Sequence, residues 1–163
     1  MQCVKWHPKE EGVLISAGFD KKVVLYNVLV DSKASQTAKI DNEVESLCWE
    51  PHEGMQFAVS DEKGVVKILD ARFIGGESVI QFQAHSKQTT SLAYSFKNPG
   101  ILVTSSNDGS LKTWDVSKGE AKMLFEKKCE IGEIFTTAIS KDVENTLAAG
   151  GSKGELLIWE IEP

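Results

Sequence analysis

Two series of large side chains recur through this chain at one spacing. Tyr26, Leu69, Trp114 and Trp159 each close a short apolar run, at intervals of 43, 45 and 45 residues. Trp6, Trp49, Tyr94 and Ile139 form a second series with the same three intervals. Two series in step define a repeated unit, and a period of about 40 to 45 residues is what a four-stranded propeller blade needs. Helical repeats of similar length would show apolar residues three and four apart instead.

Within a unit the pattern is that of strands. In the third, Ser78 to Phe82, Thr90 to Ser95, Ile101 to Ser105 and Ser110 to Trp114 are β-branched or alternating runs, separated by turn residues such as Asn98-Pro99-Gly100 and Asn107-Asp108-Gly109. The last turn recurs at Gly18 to Lys21, Asp61 to Gly64 and Gly151 to Gly154, each joining two strands as a hairpin. The reading is an all-β chain forming a single segment, 1–163, with repeats over about 1–30, 36–72, 78–117 and 121–163. Each repeat is expected to form a four-stranded antiparallel blade.

Composition narrows the function classes. With 41% apolar and 26% charged residues, the chain has the make-up of a folded domain, and no apolar run is long enough to cross a bilayer. Without a signal-peptide pattern over Met1 to Pro8, an intracellular location is expected. The net charge is −6, and of 18 cations only Arg72 is an arginine, which disfavours nucleic acid as the direct ligand. Cys3, Cys48 and Cys129 show no metal-ligand spacing; no metal or cofactor is expected.

The third unit carries Ala84-His85, a turn aspartate at Asp108, and Trp114-Asp115 at its end. In these features it resembles a WD repeat. The resemblance implies a buried hydrogen-bonded tetrad of His85, Thr104, Asp108 and Trp114. The first unit keeps Ser16, Asp20 and a Tyr26 in place of tryptophan, while Lys63 and Lys153 stand at the turn-aspartate position of the second and fourth. Those two units are expected to rely on apolar packing. At finer grain, Leu14-Ile15-Ser16, Leu69-Asp70-Ala71-Arg72, Gln83-Ala84-His85 and Ile158-Trp159 occur in an order similar to the final repeats of WD-repeat proteins of ribosome biogenesis. That likeness implies a nuclear, largely nucleolar factor of large-subunit assembly, with pre-ribosomal particles as partners.

Propellers usually have more blades than four, and the chain starts on one strand, Gln2 to Trp6, and closes on another, Glu155 to Ile161. We therefore expect the carboxyl-terminal part of an incomplete ring, completed by missing blades or by a second half-ring. Apparent catalytic patterns have structural explanations. Gly150-Gly151-Ser152-Lys153-Gly154 has the spacing of a nucleophile elbow but is followed by a strand rather than a helix. His85, Asp108 and Ser106 have the residue types of a triad, but the tetrad explains them and no oxyanion site is evident. The chain is read as a non-enzyme.

In a four-stranded meander the loops alternate between the two faces of the ring. Carrying the third unit's positions across at the repeat interval puts Phe19, Glu43, Glu45, Glu62, Gln88, Thr90, Asn107, Glu133, Phe135 and Ser152 on one face. Aromatic anchors in an acidic surround suit a basic, partly apolar peptide segment. Equally, the glutamates could serve solubility while the phenylalanines pack inward. The expected function is a protein-interaction scaffold serving ribosome assembly; the alternatives are a scaffold of another complex, in ubiquitin ligation, chromatin or vesicle coats, or an RNA-binding propeller.

Overall fold

The computed structural model describes residues 1–30 and 35–161. The first blade is a sheet of β1 (Cys3–Trp6), β2 (Val13–Ala17), β3 (Lys22–Asn27) and β4 (Ser35–Lys39) in chain order. The second holds β5 (Val44–Trp49), β6 (Gln56–Asp61), β7 (Val65–Asp70) and β8 (Ile80–Gln83). The third holds β9 (Thr89–Tyr94), β10 (Ile101–Ser106), β11 (Ser110–Asp115) and β12 (Lys122–Lys128). The fourth has β13 (Ile134–Ile139), β14 (Thr146–Gly151) and β15 (Leu156–Glu160), three strands among the described residues rather than the four expected. All neighbouring strands are antiparallel.

Sheet boundaries fall one strand later than the sequence repeat. The run that opens the third unit, Ser78 to Phe82, contributes β8, which pairs with β7 from Val65↔Gln83 to Ile68↔Ile80 and is the outer strand of the second blade. The second, third and fourth repeats thus begin on the previous sheet, with β4, β8 and β12, and cross to their own, which ties neighbouring blades together covalently. A 3-10 turn, Ala71–Phe73, precedes β8; the Asp70 carboxylate accepts from Arg72 N–H at its start.

Register explains why the two series run in step. In each blade one member of each series flanks a single residue of the second strand: Trp6–Leu14–Tyr26, Trp49–Phe57–Leu69, Tyr94–Leu102–Trp114 and Ile139–Leu147–Trp159. Alternation then sends side chains to opposite blade faces. Trp49, Phe57 and Leu47 pack with Ile15 and Val23 of the first blade, whereas Cys48, Ala58 and Ile68 pack with Leu92, Tyr94 and Leu102 of the third. Val103 and Leu111 meet Ile134, Leu147 and Ala149 between the third and fourth. Each fully buried aliphatic or aromatic side chain contributes about 1.5–3 kcal/mol, so the blade-to-blade layers dominate stability.

Among the described residues, the two outermost blade faces lack such a layer. Trp6 is 62% exposed although its counterpart Trp49 is 7% exposed, and Leu156 and Ile158 on the fourth blade are 69% and 68% exposed. No helix among the described residues is long and apolar enough to cross a membrane.

Candidate functional site

The β2–β3, β6–β7, β10–β11 and β14–β15 turns lie on one face of the ring, beside the segments leading into β5, β9 and β13. Glu62 N–H donates to Glu43 O at 3.1 Å and Asn107 N–H to Gln88 O at 3.3 Å. The Asn107 side-chain amide also donates to Gln88 Oε1 at 3.0 Å. In the fourth blade Ser152 N–H donates to Glu133 O at 2.8 Å, and Glu133 N–H returns a bond to Ser152 Oγ at 3.0 Å. Blades are joined here too: Val44 N–H donates to Gly18 O at 3.3 Å and Thr90 Oγ1 to Ile134 O at 2.5 Å.

Phe19, in the first blade's turn, and Phe135, at the start of β13, are both more than half exposed, so neither packs inward. Glu43, Glu45 and Glu62 lie on the second blade between them, half-buried, while Glu133 and Ser152 are exposed. Burial raises the Glu45 pKa above its ordinary value, and the neighbouring carboxylates of Glu43, Glu62 and Asp61 raise it further, against the hydrogen bond from Gln88. A positive group arriving at this patch would relieve that repulsion.

Beneath the face, the third blade carries a buried polar network. Trp114 Nε1–H donates to Thr104 Oγ1 at 3.0 Å, and Thr104 Oγ1 lies 2.7 Å from His85 Nε2. The threonine proton therefore goes to Nε2, which leaves the His85 Nδ1–H to point at Asp108 Oδ2, 3.2 Å away, and Ser110 Oγ, 3.1 Å away. Ser110 donates to Asp108 Oδ1 at 2.6 Å. Burial lowers the His85 pKa despite the opposing charge of Asp108, so the imidazole is neutral near pH 7. For Asp108 burial acts to raise the pKa, but the Ser110 hydrogen bonds and His85 outweigh it and hold the carboxyl low. Ser110 was not among the expected members; a serine after a turn glycine carries no distinctive signal.

The remaining blades differ. Asp20 is exposed at the tip of its turn. The second blade does not rely on apolar packing alone: Asp61, two positions before Lys63, is buried, accepts from Lys63 N–H and Val65 N–H at 2.9 Å, and accepts from Asn42 at 2.8 Å. The apparent triad is not assembled: His85 Nδ1 meets Asp108, but Nε2 is taken by Thr104 rather than by Ser106, whose Oγ accepts from Asp108 N–H at 3.0 Å. Gly150 to Gly154 lies in a strand–turn–strand hairpin, not a strand–helix elbow.

The opposite face shows a third series that sequence reading missed. His7, Glu50, Ser95 and Ser140 follow the second series by one residue, and each side chain accepts from the N–H groups two and three residues on. With Nδ1 accepting, His7 donates from Nε2 to Gly54 O on the next blade. His52 Nε2 lies 3.3 Å from Ser95 O, and Asn98 Nδ2 donates to Asn145 Oδ1 at 3.2 Å, continuing the belt to the fourth blade. No cluster of metal-ligating side chains exists among the described residues.

Residues 4–97 match the family described as the WD40 domain of anaphase-promoting complex subunit 4. The chain is similar to a WD repeat-containing protein of Schizosaccharomyces pombe, 30% identical over 78% of this chain and 25% of that protein. It is also similar to the Periodic tryptophan protein 1 homolog of Drosophila melanogaster, 26% identical over 94% of the chain and 34% of the relative. The Ribosome biogenesis protein WDR12 homolog of Trichoplax adhaerens is 24% identical over 99% of the chain and 37% of its own length. The chain thus spans between a quarter and two fifths of these relatives.

Proposed function

We propose that this chain, which belongs to the WD40-repeat family, is a protein-interaction scaffold that acts in ribosome assembly and receives basic, partly apolar partner segments on its acidic ring face. The observation that carries this reading is the Glu43, Glu45 and Glu62 patch on the second blade together with exposed phenylalanines on the first and fourth blades, a combination of charge and apolar anchor suited to such a segment. The ribosomal setting is supported by the likeness to the Periodic tryptophan protein 1 homolog and to a relative named for ribosome biogenesis. On this reading the partners belong to pre-ribosomal particles of the large subunit, in the nucleolus. The bare outer blade faces are covered by further blades or by a second half-ring, since that is what covers the equivalent faces inside. A scaffold role in a different complex is the second reading, favoured by the match to a subunit of the anaphase-promoting complex.

Fluorescence anisotropy with a labelled peptide alternating lysine and leucine tests the face. Phe135→Ala is expected to weaken binding by about tenfold, the weight of one anchor of about 1.4 kcal/mol, with an unchanged melt. Affinity is also expected to fall as the pH is lowered through the raised Glu45 pKa, because the added proton removes the charge the peptide reads. Equal affinity of wild type and variant would contradict the assignment.

A further inference from the structure

The outer strands of the blades differ in what they expose. In β4 the one apolar residue, Ala38, is buried. In β8 Ile80 is buried and Phe82 stacks on Trp114, with ring centroids 4.6 Å apart. β12 is longer, seven residues against five and four, and carries the run Met123-Leu124-Phe125. Phe125 meets Trp159 at 5.1 Å, as Phe82 meets Trp114, yet it stays 40% exposed, and Met123 and Leu124 are 47% and 49% exposed. The strand also ends its sheet: β11 pairs with one side of it, and among the described residues no strand pairs with the other. A long apolar edge strand with unpaired backbone groups is a template for a further strand.

Charge decides which strand it takes. Three of the four charged residues of β12 are lysines, in a chain of net charge −6. Glu126 lies 3.7 Å from Lys112, and Lys127 sits 5.1 Å over the Trp159 ring. Lys122 and Lys128, at the two ends, are exposed and, among the described residues, form no ion pair. Asp115, across from Lys122 on β11, is engaged by Ser117 instead. A second copy of β12 is therefore a poor partner. Paired antiparallel about Phe125 it sets Lys122 against Lys128 at both ends, and paired parallel in register it sets each lysine against itself. Like charges directly opposite are destabilising, whereas an acidic strand turns the same positions into attraction. The ladder on offer is regular over residues 125–128; past Phe125 the register slips, and Leu124 is the extra residue of a bulge.

We propose that the open edge of β12 binds an extended segment of a partner protein in which acidic and aliphatic side chains alternate, added to the third blade as a further strand. Backbone hydrogen bonds along residues 125–128 supply the affinity, and carboxylates beside Lys122 and Lys128 set the choice of partner. An aliphatic side chain of the segment covers Leu124. This edge selects the opposite charge from the acidic ring face, so the two surfaces take different segments. It also faces away from the neighbouring strands of its own sheet, so its use does not depend on how the bare faces of the first and fourth blades are covered.

Fluorescence anisotropy of the 163-residue chain with a labelled peptide of alternating glutamate and valine tests this. A second peptide has the same sequence with its amides N-methylated, which keeps the charge and removes the backbone donors. The expected result is saturable binding of the first peptide and at least about tenfold weaker binding of the second. Lys122→Glu/Lys128→Glu should weaken the first peptide by about tenfold, through the loss of two cross-strand charge pairs, and leave the melt unchanged. No saturable binding, equal affinity for the two peptides, or equal affinity of the folded double variant would overturn the proposal. Should the double variant not fold, the comparison of the two peptides decides. A chain that sediments as a dimer and becomes a monomer on Leu124→Asp would assign the edge to a second copy, and that too would overturn it.

Discussion

His85 directs both ring nitrogens into the third blade, and its burial has a consequence for stability. Its folded pKa lies below the ordinary 6.5, chiefly through burial. Once unfolded, the imidazole takes up a proton at a pH where the buried one does not, so unfolding is coupled to proton uptake. The stability it confers is complete above 6.5 and is lost as the pH falls below that value. We predict that the urea midpoint of the wild-type chain declines between pH 7.5 and 5.5, and that His85→Asn is less stable at pH 7.5 but declines less. A wild-type midpoint that rises over this range would contradict the neutral, buried assignment. At this scale the network was partly legible in the sequence: Ala84-His85, Asp108 and Trp114-Asp115 stand at recognisable spacing. Ser110 and Asp61 did not announce themselves, because a side chain that closes a tight turn is chosen by its reach to a nearby N–H, and several residue types reach equally well. His7, Glu50, Ser95 and Ser140 make the same point, with three chemistries in one role.

The hairpins between second and third strands set how closely each blade approaches the loop beside it. Gly64, in the β6–β7 turn, has φ +83°, and an added Cβ would collide with the carbonyl oxygens of His85 and Lys87. Gly119, between β11 and β12, has φ +77° but open space around it. Gly64→Ala is therefore predicted to lose more than Gly119→Ala, whose cost is the conformational one of about 1–3 kcal/mol; chemical denaturation of both variants checks this, and equal losses would show that the close approach is not needed. Strand positions were legible because a two-residue alternation interrupted by Gly, Asn and Pro survives in every unit. Which sheet a strand joins was not. The run ending at Phe82 reads as the start of a unit, and only its pairing with β7 assigns it to the preceding blade.

Across the whole molecule, each blade depends on its neighbours for a covered face, and the first and fourth have one bare face each, marked by Trp6 and by Leu156 and Ile158. These are the faces that in the interior are closed by another blade, so the four blades behave as an arc of a larger ring. Its rim carries an acidic, phenylalanine-bearing face on one side and a belt of capped turns on the other. The repeat period made the architecture readable. The make-up of the ring face was less so, because it depends on which loops of different blades converge. The most direct measurement is affinity purification of the tagged chain from cells, with and without ribonuclease, followed by mass spectrometry, run beside a Phe19→Ala/Phe135→Ala variant. Large-subunit assembly factors that survive ribonuclease and are lost with the variant are the predicted result. Recovery that vanishes with ribonuclease, or a set of proteins from another complex, would contradict a protein scaffold of ribosome assembly.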